Sequence, residues 1–253
     1  MLSHEPLMRI TQGTKSYGGV HALSDVTIDF PKGSITGIVG PNGAGKTTLL
    51  NVLSGHTSIS RGEIVFDGRS VTGLRAYQRA RLGLSRTFQN LEINDEMSIL
   101  DSTMMGAYER ARRKDPDLGR FGSRTKTLSA LAVRALNDCG IEGDGSKLPG
   151  ELSYGQQKIV EIARALMSNA KMVLLDEPFA GLSPDERIRV AGLVSTLRES
   201  GVTIAIIDHD VQMIFGLVDT VTVLNFGIVI AQGSPDEVGQ NKAVVEAYLG
   251  VDE

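Results

Sequence analysis

Gly40-Pro41-Asn42-Gly43-Ala44-Gly45-Lys46-Thr47 fits the pattern G-x-x-x-x-G-K-[ST], in which a glycine-rich turn wraps the phosphates of a nucleotide. Its flanks supply the context the pattern needs. Residues 35–39, Ile-Thr-Gly-Ile-Val, read as a short buried strand, and residues 47–53 read as the start of a helix. The glycines at 40, 43 and 45 let the backbone curl until successive N–H groups converge on an anion. A helix that starts near Lys46 adds the positive end of its dipole. In such a loop Lys46 reaches the β- and γ-phosphates, and the Thr47 hydroxyl is a ligand for Mg2+. The expected occupant is a nucleoside triphosphate.

Around this loop the chain has 253 residues, enough to bury the core of one large α/β domain with a subdomain. Hydrophobic residues make up 41% and charged residues 22%, as in ordinary globular proteins. A net charge of −4 gives no electrostatic case for sequence-independent binding of nucleic acid. Cys139 is the one cysteine, so neither an intrachain disulfide nor a cysteine metal cluster can form, which fits a reducing compartment. Its helical Ala/Leu surroundings suggest a small buried residue. The N-terminus lacks a basic region followed by an apolar core, so no secretion signal is expected. Apolar runs such as residues 202–207, broken by Thr203, fall far short of the roughly 20 residues a membrane span needs.

Residues 8–11 and 26–30 alternate like half-exposed strands, and Pro31-Lys32-Gly33 turns the chain toward the phosphate loop. Between them Tyr17, beside Gly18 and Gly19, either offers a ring face to a purine base or sits at the edge of a small sheet; spacing leaves both open. Residues 61–68 read as a strand closed by Asp67-Gly68, a hairpin signal. Residues 75–82 look helical and 84–88 extended. From about 90 to 148 helical patterns take over, first Met97, Leu100, Met104 and Met105, then Leu128, Leu131, Val133 and Leu136. This reads as an insertion into the sheet. Its basic run Arg110, Arg112, Arg113 and Lys114, partly cancelled by Glu109, Asp115 and Asp117, is expected to be a solvated helix face.

Ser153 and Gln156 form a capping box for a helix whose apolar face is Ile159, Val160, Ile162, Ala163 and Leu166. The same Ser-x-Gly helix start, through Gly155, also suits phosphate oxygens. Residues 172–175 are a buried strand run ending in Asp176-Glu177-Pro178, and the C-terminal ends of such strands are where parallel α/β sheets bind ligands. Asp176 is placed to hold Mg2+ through its water shell, and Glu177 to take a proton from an attacking water. Residues 202–207 form another core strand, followed by Asp208-His209-Asp210, which makes His209 a candidate sensor of the γ-phosphate. Ser183-Pro184 and Ser234-Pro235 each open a helix, and residues 221–230 read as a final strand pair.

In this order the motifs resemble those of the ATP-binding subunits of ABC transporters, from about residue 8 to 250. The resemblance implies an α/β fold: a P-loop NTPase core sheet, an N-terminal antiparallel β subdomain and an inserted α-helical subdomain. Residues 1–89 and 166–253 would form the nucleotide-binding core, and 90–165 the helical subdomain with the signature motif. On that likeness Tyr17 is the adenine stacker, Gly40 through Thr47 and Thr48 the phosphate loop, and Gln89, in Arg86-Thr87-Phe88-Gln89-Asn90, the glutamine that ligates Mg2+ and positions water. The signature is Leu152-Ser153-Tyr154-Gly155-Gln156, the strand carboxylates are Asp176 and Glu177, the D-loop is Ala180-Gly181-Leu182-Ser183-Pro184, and His209 is the switch histidine.

The implied ligands are ATP and Mg2+, and the implied activity is ATP hydrolysis coupled to transport. Two such subunits would pair head-to-tail, with Lys46 of one and Ser153 of the other on the same γ-phosphate. Implied partners are two membrane-spanning subunits, a second ATP-binding subunit (a copy or a related chain) and, indirectly, a periplasmic or extracellular solute-binding protein. Nucleic acid is not among them. The place is the cytoplasmic face of the inner membrane. Arg86-Thr87-Phe88-Gln89-Asn90, Leu152-Ser153-Tyr154-Gly155-Gln156-Gln157 and the tail Ala247-Tyr248-Leu249-Gly250 resemble the importers of branched-chain amino acids, where Tyr154 is typical. Residues 90–97 and Ser183 depart from that subgroup. Relatives for urea or short amides share most of these features, and a soluble ATPase of the same type acting on nucleic acid or ribosomes is the alternative of another class.

Overall fold

The structure is a computed structural model and describes residues 5–87, 94–112, 115, 118, 124–143 and 145–249. Burial alternates along β1 (Pro6–Tyr17) and β2 (Val20–Pro31), with Met8, Ile10, Val26, Ile28 and Phe30 inward and Arg9 paired with Asp29 outward. The two strands run longer than the sequence pattern indicated. Segment 15–23 is the tip of their antiparallel hairpin, turning at Gly18-Gly19 so that Tyr17 opposes Val20. A two-glycine turn matches the twist of the strands, so the ladder continues to the tip.

β3 (Ile35–Val39) leads through the phosphate loop into α1 (Lys46–Ser54). β4 (Arg61–Phe66) and β5 (Arg69–Ser70) form the expected hairpin, with Asp67 and Gly68 both left-handed at φ 49° and 72°. These strands make a four-stranded antiparallel sheet in the order β2-β1-β4-β5. Then come α2 (Ala76–Leu82), β6 (Leu84–Arg86) and the helices α3 (Ile99–Met105), α4 (Tyr108–Arg112), α5 (Arg124–Asp138) and α6 (Tyr154–Met167). α3, α5 and α6 pack on one another. Arg110 in α4 is no solvated residue: its guanidinium is mostly buried and donates to Asp115 at 2.7 Å. Arg113 and Lys114 lie outside the described residues. Cys139 is buried.

The chain returns through β7 (Met172–Asp176), α7 (Pro184–Glu199), β8 (Thr203–Ile207), α8 (Val211–Leu217), β9 (Thr220–Asn225), β10 (Ile228–Gly233), α9 (Pro235–Gly239) and α10 (Lys242–Leu249). A second sheet of six strands runs β10-β9-β3-β8-β7-β6, parallel except for β10. Every residue of β3, β7 and β8 is buried, which explains why their sequences are mostly apolar and do not alternate. Alternation sends their side chains into two cores. Ile38, Leu174 and Ile207 meet the antiparallel sheet and α1, while Val39, Val173, Leu175 and Ile206 meet α6, α7 and α8. Because α1 lies between two sheets, Leu49, Leu50, Val52 and Leu53 are all buried. Among the described residues no helix is long and apolar enough to cross a membrane.

Candidate functional site

Parallel register decides which residues meet. Ile38 of β3 and Asp176 of β7 both stand opposite Ile207 of β8, so the three strands end at one rim. Gly40, Glu177 and Asp208 therefore leave the sheet side by side. The phosphate loop is anchored on both sides: Gly227 N–H donates to the Ala44 carbonyl at 2.9 Å, and the Cβ of any other residue at 45 would stand 2.6 Å from the Ala22 carbonyl oxygen. Gly40 has φ 153°, and a Cβ there would lie 2.1 Å from the Leu224 carbonyl oxygen. Gly45 is the N-cap of α1 at φ 101° and makes no side-chain capping bond, so the first-turn N–H groups of α1 face the loop without a side-chain cap. The backbone approach that phosphates require is built in.

Lys46 folds back over the loop, its Nζ donating to the Gly40 carbonyl at 2.6 Å and the Pro41 carbonyl at 2.9 Å. Burial pulls its pKa below the usual lysine value, with the charge of Glu177 working against that shift. Glu177 joins residues 42–48 around one cleft of about 400 Å3, which also touches Val20, His21 and Ala22 of β2 and the turn Phe226-Gly227. The structure thus brings Asn42, Gly43, Ala44, Gly45, Lys46, Thr47, Thr48 and Glu177 together.

Asp176 sits behind them, buried, and accepts from Arg86 Nη2 at 2.8 Å with both side chains about 5% exposed. The same guanidinium donates to Asn51 Oδ1 at 2.7 Å and Ser54 Oγ at 3.0 Å, so β6 and β7 are tied to α1. Glu177 has the left-handed φ of 49°, its N–H donating to the Ile207 carbonyl at 2.8 Å and its own carbonyl accepting Lys158 Nζ at 2.8 Å. Asp208, buried, accepts from the N–H groups of Phe179 at 3.0 Å and Asp210 at 3.1 Å, which fixes the loop after Glu177. His209 beside it is exposed, with Nδ1 3.5 Å from Asp208 Oδ1.

Tyr17, Ser153, Gly155 and Gln156 lie elsewhere. Tyr17 does not line the cleft; it is exposed at the hairpin tip with the Lys15 ammonium 4.7 Å from its ring centroid. Ser153 is the N-cap of α6, with the reciprocal bonds to Gln156 at 3.2 and 3.0 Å. Its hydroxyl donates to Glu186 Oε1 at 3.0 Å, and the Glu186 carboxyl fills the space over Gly155, 2.2 Å from where a Cβ would be. The Ser183 N–H and hydroxyl and the Ser153 hydroxyl, in that order, hold Glu186 below the usual carboxylate range. None of Ser153, Gly155 or Gln156 reaches the cleft of its own chain. Gln89 lies outside the described residues.

Residues 23–180 match the family described as ABC transporter, more than half of the chain. The chain belongs to the ABC transporter family. Residues 229–253 further match the branched-chain amino acid ATP-binding cassette transporter family. The chain is 32% identical to the high-affinity branched-chain amino acid transport ATP-binding protein BraF of Pseudomonas aeruginosa, covering 97% of this chain and 98% of that one. A probable branched-chain amino acid transport ATP-binding protein of Archaeoglobus fulgidus is 33% identical, over 94% of this chain and 93% of its own. The crystal structure of the ADP conformation of MJ1267, an ATP-binding cassette of an ABC transporter, superposes with a TM-score of 0.84 at 31% identity, covering 96% and 98% of the two chains. As an ABC cassette this chain binds and hydrolyses ATP.

Arg86, Lys158, Glu186 and Asp208 hold the cassette's named motifs in place; sequence reasoning gave Glu186 only its capping of the Ser183 helix start and the other three no role. Arg86 lay inside a quoted motif, yet nothing along the chain indicates that it reaches a carboxylate 90 residues away. Lys158 follows the signature by about one helical turn, and nothing along the chain indicates that it reaches the Glu177 carbonyl.

Proposed function

We propose that this chain powers the uptake of branched-chain amino acids, as the ATP-hydrolysing subunit of an importer at the cytoplasmic face of the inner membrane. The observation that carries the reading is the divided site. Phosphate loop and Glu177 share one cleft, while Ser153 and Gly155, at the start of α6, open away from it. A second cassette, a copy or a related chain, would complete each cleft head-to-tail, with Ser153 and Gln156 of one chain facing Lys46 of the other. The relatives named for branched-chain amino acids and the match of the tail support the choice of solute.

In this reading the loop amides and Lys46 bind the β- and γ-phosphates, Tyr17 stacks on the adenine, and Glu177 accepts the proton of the attacking water. His209 and Gln89 position that water. Thr47 and Asp176 offer the hard oxygen donors that Mg2+ takes one or two at a time, and Gln89 adds a third. The bound ion would neutralise phosphate charge. Segments 1–89 and 166–253 form the nucleotide-binding core and 90–165 the helical subdomain, a division that falls in the last turn of α6. Two membrane-spanning subunits would dock on the groove of about 440 Å3 between α2, β6, α3 and α4, where Tyr77, Met105 and Tyr108 are exposed. A solute-binding protein outside the membrane would deliver the amino acid to them.

Glu177→Gln tests the sandwich: with saturating ATP and Mg2+ it is expected to elute as a nucleotide-bound dimer in size-exclusion chromatography with light scattering. A monomer under those conditions overturns it. Purification of tagged protein from native membranes is expected to recover two multispanning chains; recovery of soluble partners alone would refute the importer.

A further inference from the structure

Lys158 is buried to 4% exposure, and its ammonium donates to a main-chain group, the carbonyl of Glu177, at 2.8 Å. Lysines near a surface extend their stems so that the charge stays in water. This one instead crosses from α6 to the loop after β7. Burial lowers its pKa, while the charges of Glu161, Asp208, Glu177 and Asp176 around it oppose that shift and keep an ammonium tolerable there. Its place on α6 is five residues after Ser153, on a helix whose start is braced by a full capping box. Tyr154 covers it: the ring centroid is 5.6 Å from Nζ, and the ring edge packs against Gly181 of the D-loop, 3.0 Å from where a Cβ would stand. Tyr154 is itself 45% exposed, beside the serine that would face a partner's nucleotide.

The receiving end is under strain. Glu177 has the left-handed φ of 49°, uncommon for a residue with a Cβ, and its peptide is held by the Ile207 carbonyl on one side and by Lys158 and the Ala180 N–H (3.3 Å) on the other. Release of the carbonyl would let that peptide rotate toward negative φ and carry the carboxylate out of the cleft.

We propose that Lys158 is a positioning residue that relays engagement of Ser153 and Tyr154 with the partner chain's ATP to the catalytic Glu177 of its own chain. Each chain would then present its base only when its signature helix is seated, and the two sites would fire in concert. This deepens the head-to-tail reading and rests on it.

The test uses the full chain as Lys158→Met, which keeps the stem and removes the donor, and Lys158→Arg, which keeps a donor. Readouts are steady-state ATP hydrolysis with Mg2+, binding of a fluorescent trinitrophenyl-ATP, and thermal midpoints. Lys158→Met is expected to lose kcat by about tenfold or more, with nucleotide affinity within about twofold and a Hill coefficient reduced toward 1. Lys158→Arg should keep kcat within about threefold. Wild-type kcat in Lys158→Met, or losses in both variants that simply follow their thermal midpoints, would overturn the proposal. A wild-type chain whose Glu177→Gln form stays monomeric would refute the sandwich instead, with the kcat effect of Lys158→Met still reporting the link within one chain.

Discussion

Replacing Arg86 by methionine removes the cation from a buried ion pair and leaves its volume nearly filled. Both side chains of the Arg86–Asp176 pair are about 5% exposed, so solvent cannot compensate the carboxylate left behind. Breaking such a pair from one side costs about 3–5 kcal/mol. Loss of the bonds to Asn51 and Ser54, which tie α1 to β6, belongs to the same cost. For a chain of this size each kcal/mol lowers the melting midpoint by about 2–4 °C, so a fall of about 6–20 °C is expected. The assays are thermal and urea denaturation followed by far-ultraviolet circular dichroism, without nucleotide, because bound ligand adds its own stability. Asp176→Asn alone should cost less, since the guanidinium keeps Asn51 and Ser54. In the double variant no charge is left stranded, and its loss should fall short of the sum by about 1–3 kcal/mol. A loss below about 1 kcal/mol in Arg86→Met, or single losses that add to within about 0.5 kcal/mol, would refute the claim that this pair holds the Asp176 carboxylate in place.

Lys46→Ala removes the one loop cation that reaches into the cleft and should weaken ATP binding by about ten- to a hundredfold in a calorimetric titration, the worth of a charged hydrogen bond; unchanged affinity would show that the loop amides alone bind phosphate. Burial, with Asp138 adding to it, pushes the Cys139 thiol up to about 12 from its ordinary 9.0. A folded pKa above the unfolded one means the contribution to stability is whole below pH 9 and is lost as pH rises from 9 toward 12, because the unfolded chain releases its proton first. Native protein at pH 8 should therefore leave Ellman's reagent unreacted and release one equivalent of chromophore only after guanidinium is added.

The phosphate loop, the capping boxes at Ser153, Ser183 and Ser234 and the Asp67-Gly68 hairpin were legible in the sequence because each is closed by bonds between residues a few positions apart. The apolar runs of β3, β7 and β8 were equally plain, since a strand buried on both faces admits no polar alternation. The hairpin tip at 15–23 was not, because its pattern fades where the strands leave the core and only the cross-strand ladder sustains them. Arg110 was misread for a related reason: its charge looked solvent-bound until Asp115 closed over it. Tertiary structure alone decided the rest. Strand register set Glu177 beside Lys46, brought Arg86 to Asp176 and Lys158 to the Glu177 carbonyl, and turned Ser153 toward Glu186 and away from the cleft. The hydrogen-bonded pairs among them are 19 to 90 residues apart, and no local preference of the chain selects them. Motif chemistry is written in short-range backbone geometry; which motifs face one another is settled only when the sheet sets their ends at a common rim.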